Sequence, residues 1–481
     1  FCDGETRDFA FNLSHISDRP MTVRCSLRYG KTPGITVKSP DHLRLGLPGF
    51  GIEWFTPTLA AAFDGTPASD VLAPNPGGSY RIAPGETIQA FLSVTAPDAA
   101  ASGCGFLVIQ ATDKSPFQPL ALPVEFSVGK TPPDAACRPL AFGWDYLPVD
   151  IAGERPEFAE KHFRRLQEYN FNMAMITGLR LLPRPRADQS GNLVGELDFS
   201  KLRNHIALLG NKFDYYYLNV DIWEKQQQRR DLFGLDFNDP AYEKAFKNWF
   251  GQIAAELARL GIPNAKLVVC PYDESLDRRA EIIARWIKET APDTRILINC
   301  SSTDLEQVKS IDRYVSVWMP HLRTLNQEAY QDFYRYLNST GKPVLVYYYS
   351  TGNNEKTKSP YGDYLLHFWR CYERGLGGVG FWAAGQYYGD PWYREGYPAV
   401  YDSTLLYPTE TEVLPSRRLA AWRRGFADLA LLRQTGAVLA ARGDREGLAQ
   451  LKQNAGLVAD YPNDHTRAEA MRQYCRSILN P

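Results

Sequence analysis

The sequence predicts a multidomain chain: an antiparallel β-sandwich over residues 1–130, a linker at 131–138, a (β/α)8 TIM barrel at 139–440 and a short helical tail at 441–481. Three observations predict it. The first 130 residues alternate short apolar runs with Gly-, Pro- and Asp-rich turns, as sandwiches do. From residue 139, short β-rich runs alternate with longer amphipathic stretches, the pattern of parallel βα units. At 44% hydrophobic and 13% aromatic, 481 residues are enough for two or three cores.

In the first segment the strand candidates lie at 21–27, 87–94, 105–111 and 120–128. Pro132 and Pro133 then interrupt pairing and mark the linker. The barrel candidates lie at 140–146, 171–177, 213–220, 265–271, 295–300, 314–319, 343–349 and 378–383. Helical patterns at 157–169, 242–260, 278–289, 326–337 and 361–374 separate them, enough repeats to close a barrel. An open doubly wound sheet would carry a Gly-rich phosphate turn after its first strand, and Gly143-Trp-Asp-Tyr146 is not one. From Pro415 onward, charged helical segments predict a helix that closes the barrel, then the tail.

Composition narrows the function. Fifty-four Lys plus Arg balance fifty-five Asp plus Glu, a formal charge of -1 without a basic block, so nothing electrostatic points to nucleic acid. No apolar run reaches the roughly 20 residues that a helix needs to cross a bilayer. A chain that opens on Phe1 rather than Met is expected to be trimmed or processed. Its eight cysteines, at 2, 25, 104, 137, 270, 300, 371 and 475, form no Cys-x-x-Cys, so no zinc site or other metal or cofactor is expected. Two disulfides among Cys2, Cys25, Cys104 and Cys137 would suit an exported protein, while Cys270, Cys300 and Cys371 sit in apolar runs as buried thiols.

Barrel enzymes keep their chemistry at the C-terminal strand ends. Here those positions hold Trp144, Asp145 and Tyr146; Thr177; Asn219 and Asp221; Tyr272, Asp273 and Glu274; Asn299 and Ser301; Trp318 and His321; Tyr347 and Tyr349; and Trp382, Gln386, Tyr387 and Tyr388. The absence of a Gly-x-Ser-x-Gly elbow, a Walker loop or a His-Glu-x-x-His removes the serine hydrolase, nucleotide and zinc peptidase readings. Rings that stack, amides that bind hydroxyls and a few acids point to a glycan substrate, and glycoside hydrolysis is the reaction there that needs acids. Trp318, Tyr347, Tyr349 and Trp382 are the main ring candidates for the sugar pocket, with Trp144, Tyr272 and Tyr387 beside them. Asn219, Asn299 and Gln386 are candidates for hydroxyls and His321 for the mouth, and Asp145 is a substrate-binding candidate with turn or salt-bridge duty as its competing role. Packing inside the barrel is the competing duty of every ring.

Asp273 and Glu274 are the catalytic candidates. In the ordinary reaction two carboxyls on different strands flank the bond, whereas these two are adjacent, and on extended backbone adjacent side chains point to opposite sides. They suit another division of labour. If the sugar carries a 2-acetamido group, its carbonyl oxygen can attack the anomeric carbon, Asp273 orienting the amide and Glu274 protonating the leaving oxygen. Three alternatives stay open. Asp273 can simply cap the helix that follows; Glu274 can be the acid with Glu355 or Asp390 as nucleophile; or the barrel can bind glycans without cleaving them.

The segment 139–432 resembles the catalytic domain of glycoside hydrolase family 123. The features that carry the resemblance are the Asp273-Glu274 pair after the fourth strand, Gly377-Gly-Val-Gly-Phe-Trp-Ala-Ala384 followed by Asp390-Pro-Trp392, and Pro415-Ser-Arg-Arg-Leu-Ala-Ala-Trp-Arg-Arg-Gly425 before the last helix. The resemblance implies a sandwich ahead of the barrel and a retaining, exo-acting β-N-acetylgalactosaminidase that works by substrate assistance. It implies Asp273 as the holder of the acetamido group and Glu274 as acid and base. The final helix, reading Phe426-Ala-Asp-Leu429, departs from the family's usual run of acids and Tyr.

Overall fold

The computed structural model describes residues 5–479 apart from 17, 30–43, 63, 99–100, 113–116, 130–133, 148–154, 177–180, 221–232, 350–354, 387–389 and 393–403. By contacts the chain divides into two units. One gathers Phe1–Arg138, Lys356–Glu373 and Leu414–Pro481; the other gathers Pro139–Glu355 and Arg374–Val413.

The first unit begins with β1 (Thr6–Ser14), β2 (Met21–Tyr29), β3 (Arg44–Leu45), β4 (Gly51–Ala61), β5 (Pro67–Pro74), β6 (Ser79–Ile82), β7 (Thr87–Thr95), β8 (Ala101–Ala111) and β9 (Leu120–Val128). They form two antiparallel sheets, one ordered β1-β7-β4-β5, the other β3-β2-β8-β9 with β6 on β2. Val23, Cys25 and Leu27 alternate inward from β2, and Ala90, Leu92 and Val94 come from β7, so side chains of both sheets share one core with Trp54 and Tyr80. Cys25, Cys104 and Cys137 are free thiols, and Cys2 lies outside the described residues. The ladder explains why Cys25 and Cys104 stay apart: Cys25 faces Ile109 across β2 and β8, while Cys104 faces Glu125 across β8 and β9. The expected disulfides are therefore not formed among these three.

The second unit supplies eight strands, one for each candidate in the sequence: β10 (Leu140–Tyr146), β11 (Met173–Ile176), β12 (Tyr215–Asn219), β13 (Leu267–Cys270), β14 (Arg295–Ile298), β15 (Val317–Trp318), β16 (Leu345–Tyr349) and β17 (Gly378–Gln386). They pair in parallel in the order β15-β14-β13-β12-β11-β10-β17-β16. The ends of that order meet where Trp318 N donates to Pro343 O at 3.0 Å and Tyr347 N to Pro320 O at 3.1 Å. The helices between strands are α1 (Pro156–Glu168), α2 (Ser200–Leu209), α3 (Pro240–Arg259), α4 (Arg278–Thr290), α5 (Leu305–Asp312) and α6 (Gln331–Ser339). Local chemistry starts them: Asp239 caps α3 ahead of Pro240, and Asp304 caps α5.

The remaining helices, α7 (Leu366–Glu373), α8 (Arg417–Ala441), α9 (Arg445–Asp460) and α10 (His465–Leu479), fall in the unit of the sandwich. The sequence reading placed α8 with the barrel and α9 and α10 in a separate tail. Two buried arginines account for the difference in α8. Arg418 binds Asp70 of β5 at 2.9 Å, with side chains 0% and 1% exposed, and Arg423 binds Asp8 of β1 at 2.5 Å. A charge inside a protein needs such a partner, and the sandwich supplies both.

Candidate active site

Strand alternation decides which strand-end residues face the barrel axis. Phe142 and Trp144 of β10, Met173 and Met175 of β11, Tyr217 of β12, Val268 and Cys270 of β13, Leu297 of β14 and Leu345 and Tyr347 of β16 share one interior cluster. In step with them, one place nearer the C-terminal end, come Tyr146, Asn219 and Asn299. Asp145 and Trp318 are out of step and turn to the helices instead. The Asp145 carboxylate accepts from Leu147 N and pairs with His162 Nε2 of α1 at 2.7 Å. Trp318 donates to Asp312 of α5 at 2.8 Å and packs edge-on against Phe333 of α6.

The acid pair lies in the turn between β13 and α4. Asp277 caps that helix, accepting from Ala280 N at 3.0 Å, so the cap does not require Asp273 or Glu274. Glu274 has φ 51, in the left-handed region that non-glycine residues rarely enter, so the pair is not on the extended backbone assumed from the sequence. Asn299, 2% exposed just past β14, ties the turn together. Its Nδ2 donates to Asp273 Oδ1 at 2.6 Å and its Oδ1 accepts from Glu274 N at 2.9 Å. The Tyr347 hydroxyl donates to Glu274 Oε1.

Aromatic rings stand around this cluster. Tyr347 meets Trp144 at 5.2 Å between centroids and His321 at 4.8 Å. Gly380 makes room for it, since a Cβ there would lie 3.0 Å from Tyr347 Cβ and 2.8 Å from Met319 Sδ. Trp382 is half-buried and donates from Nε1 to the Tyr146 hydroxyl at 3.2 Å. Burial, then the hydrogen bond to Glu274 and the charges of Glu274 and Asp273, hold the Tyr347 hydroxyl far above its ordinary range, so it stays a donor. Burial, helped by Arg323 and opposed by Glu274, lowers His321 to about 4, so near neutral pH its ring is uncharged. Its Nδ1 accepts from Arg323 N at 2.9 Å, which leaves the proton on Nε2.

Of the candidates, the structure therefore gathers Asp273, Glu274, Asn299, Tyr347, Trp144 and His321 into one cluster. Tyr272 is buried beside the pair and Asn219 ends β12 half-buried. Tyr349 and Gln386 are placed only as the last residues of β16 and β17. Thr177, Asp221, Tyr387 and Tyr388 lie outside the described residues. Two neighbours of the acids were not among the candidates: Tyr217, held protonated by burial and by the charge of Asp273, and Cys270 itself, 3.7 Å from Asn299 Oδ1. Their signal is alternation, since both share the interior phase of their strands. Among the described residues, no group of three or more His, Cys, Asp or Glu is arranged to hold a metal, and no helix is long and apolar enough to cross a membrane.

The family model of the glycoside hydrolase 123 catalytic domain matches residues 192–435, just over half of the chain. The chain belongs to glycoside hydrolase family 123. As a family 123 member it is a glycoside hydrolase, and its substrates are glycans. Among solved structures, a family 123 glycoside hydrolase from Clostridium perfringens, described in work on glycolipid glycan hydrolysis, is similar at TM-score 0.66 and 14% identity, covering 100% of this chain and 92% of that one. A family 53 catalytic domain from Ignisphaera aggregans aligns at TM-score 0.42 and 16% identity, over 59% of this chain and 95% of its own. A beta-glucuronidase from Bacteroides uniformis aligns at TM-score 0.33 and 10% identity, over 90% of this chain and 49% of its own. No curated protein matches the chain.

Proposed function

We propose that this family 123 member is a retaining, exo-acting β-N-acetylhexosaminidase, with N-acetylgalactosamine its favoured sugar, in which the substrate's acetamido group is the nucleophile. The observation that carries this reading is the separate tethering of two adjacent acids, Asp273 by Asn299 and Glu274 by Tyr347. Asp273 accepts the acetamido N–H and favours the positive charge that develops on the amide. The acetamido oxygen attacks the anomeric carbon, the glycosidic C–O bond breaks, and Glu274 gives its proton to the leaving oxygen. Glu274 then takes a proton from water, which opens the cyclic intermediate; two inversions return the original configuration. Of the two nucleophiles of the alternative mechanism, Glu355 and Asp390, the second accepts from Trp392 N at 2.9 Å in its own turn.

A panel of aryl glycosides that differ only at C2 and C4 tests the proposal. Cleavage is expected to require the 2-acetamido group and to favour the axial C4 hydroxyl, and Glu274→Gln should lower kcat by ~100-fold or more. Equal turnover of the 2-hydroxy sugar would point to an enzyme nucleophile instead. Glycolipid glycans, named for the Clostridium perfringens protein, are the natural substrates to try first.

A further inference from the structure

We propose that Asn299 is a positioning residue that divides the work of the two acids, aiming Asp273 at the substrate amide through its Nδ2 and fixing Glu274 through its Oδ1; this rests on the function proposed above. The sequence alone offered Asn299 as a ligand for sugar hydroxyls. Its amide is committed elsewhere. Nδ2 donates to Asp273 Oδ1 at 2.6 Å, while Oδ1 accepts from Glu274 N at 2.9 Å and lies 3.7 Å from Cys270 Sγ. A flipped amide would set its N–H donors against the Glu274 N–H and its oxygen against the Asp273 carboxylate, so the network fixes the orientation.

Each half of the amide has a mechanical effect. A donor on Asp273 favours the ionised carboxylate and restricts its rotation, which suits a group that must accept an N–H from the substrate. The bond to Glu274 N holds a backbone with φ 51, a conformation that persists in a non-glycine residue only where its surroundings enforce it. From that backbone the Glu274 carboxylate reaches the Tyr347 hydroxyl. Asn299 thus acts through both acids, and its 2% exposure fits a support rather than a sugar contact.

Asn299→Asp is nearly isosteric and separates the two effects. The new side chain can still accept from Glu274 N, but it cannot donate to Asp273 unless it carries a proton. With an aryl β-N-acetylhexosaminide near neutral pH, kcat should fall ~100-fold, the scale of one lost preorganised donor, with KM within about threefold. As the pH falls, two neighbouring carboxyls come to share a proton, the donor returns, and the activity of the variant should rise relative to wild type. The other titratable groups facing the pair are Tyr217, Tyr347, Cys270, Cys300 and His321; the two tyrosines stay protonated and His321, at about 4, stays neutral over most of that range. Asn299→Ala removes both bonds and should lose activity without recovery in acid, and thermal unfolding of each variant reports whether it folds.

A raised KM with wild-type kcat and pH profile would make Asn299 a sugar ligand and overturn the proposal. Equal losses in Asn299→Asp and Asn299→Ala, with no acid recovery, would leave only structural support and also overturn it. If wild type ignores the acetamido group, the proposed function fails separately. The acid recovery of Asn299→Asp is then read on the sugar that wild type does cleave.

Discussion

The Tyr347 hydroxyl, buried and held protonated, has Glu274 as its acceptor, so the acid is coupled to the barrel interior by one hydrogen bond. Tyr347→Phe removes that donor while Trp144 and His321 still pack against the ring. Losing one preorganised donor at the acid should lower kcat roughly 10- to 100-fold, and losing a buried bond should cost about 1–3 kcal/mol of stability. Wild-type turnover in that variant would show the bond to be idle in the reaction. The residue scale is also where the sequence was read with mixed success. Asp145 and Trp318 have the right chemistry for a sugar site, but they alternate with Trp144 and with Val317 and Met319, which face inward, so their outward direction was legible from strand phase. The bond between Asn299 and Asp273 was not, because it depends on how β14 is staggered against the turn after β13, and one sequence does not print that stagger.

At the scale of elements, the eight barrel strands were legible as β-rich runs, and the structure mainly trims them. β10 keeps the whole of 140–146, whereas 314–319 shrinks to Val317–Trp318. The turn between β13 and α4 was harder to read, because Asp273, Ser275 and Asp277 are all residues that cap helices. Geometry assigns the cap to Asp277, and the helix hydrogen bond it accepts leaves both preceding acids to the site. Asp277→Ala should therefore cost about 1 kcal/mol of stability. The same variant should keep kcat within about twofold, since no atom of the site is removed. Denaturant unfolding alongside kinetics checks both halves. A large loss of activity at unchanged stability would mean that the cap, too, positions the acids.

At the scale of the whole molecule, the C-terminal helices were not legible as part of the sandwich unit because a charged helical segment does not print which of its arginines are buried, or against what. Arg472 of α10 is instead 2% exposed in its side chain and clasps Asp428 of α8 with two bonds of 2.5 Å. Trp369 of α7 donates to the same carboxylate at 2.9 Å, so three helices meet on one buried charge. Burial alone would disfavour the guanidinium charge, yet the charge and hydrogen bonds of Asp428, with Glu469, outweigh it and raise the Arg472 pKa. A pair of this kind is costly to break from one side only. Arg472→Met should destabilise the unit by about 3–5 kcal/mol, because the Asp428 carboxylate stays buried with the Trp369 N–H and without its bidentate cation. Asp428→Asn in the same background neutralises the charge and keeps an acceptor for Trp369, so the double variant should recover more than half of the loss. Unfolding of the two singles and the double closes the cycle. A loss below about 1 kcal/mol in Arg472→Met, the scale of exposed pairs, would show that water reaches Asp428 and that packing, not this ion pair, holds the tail.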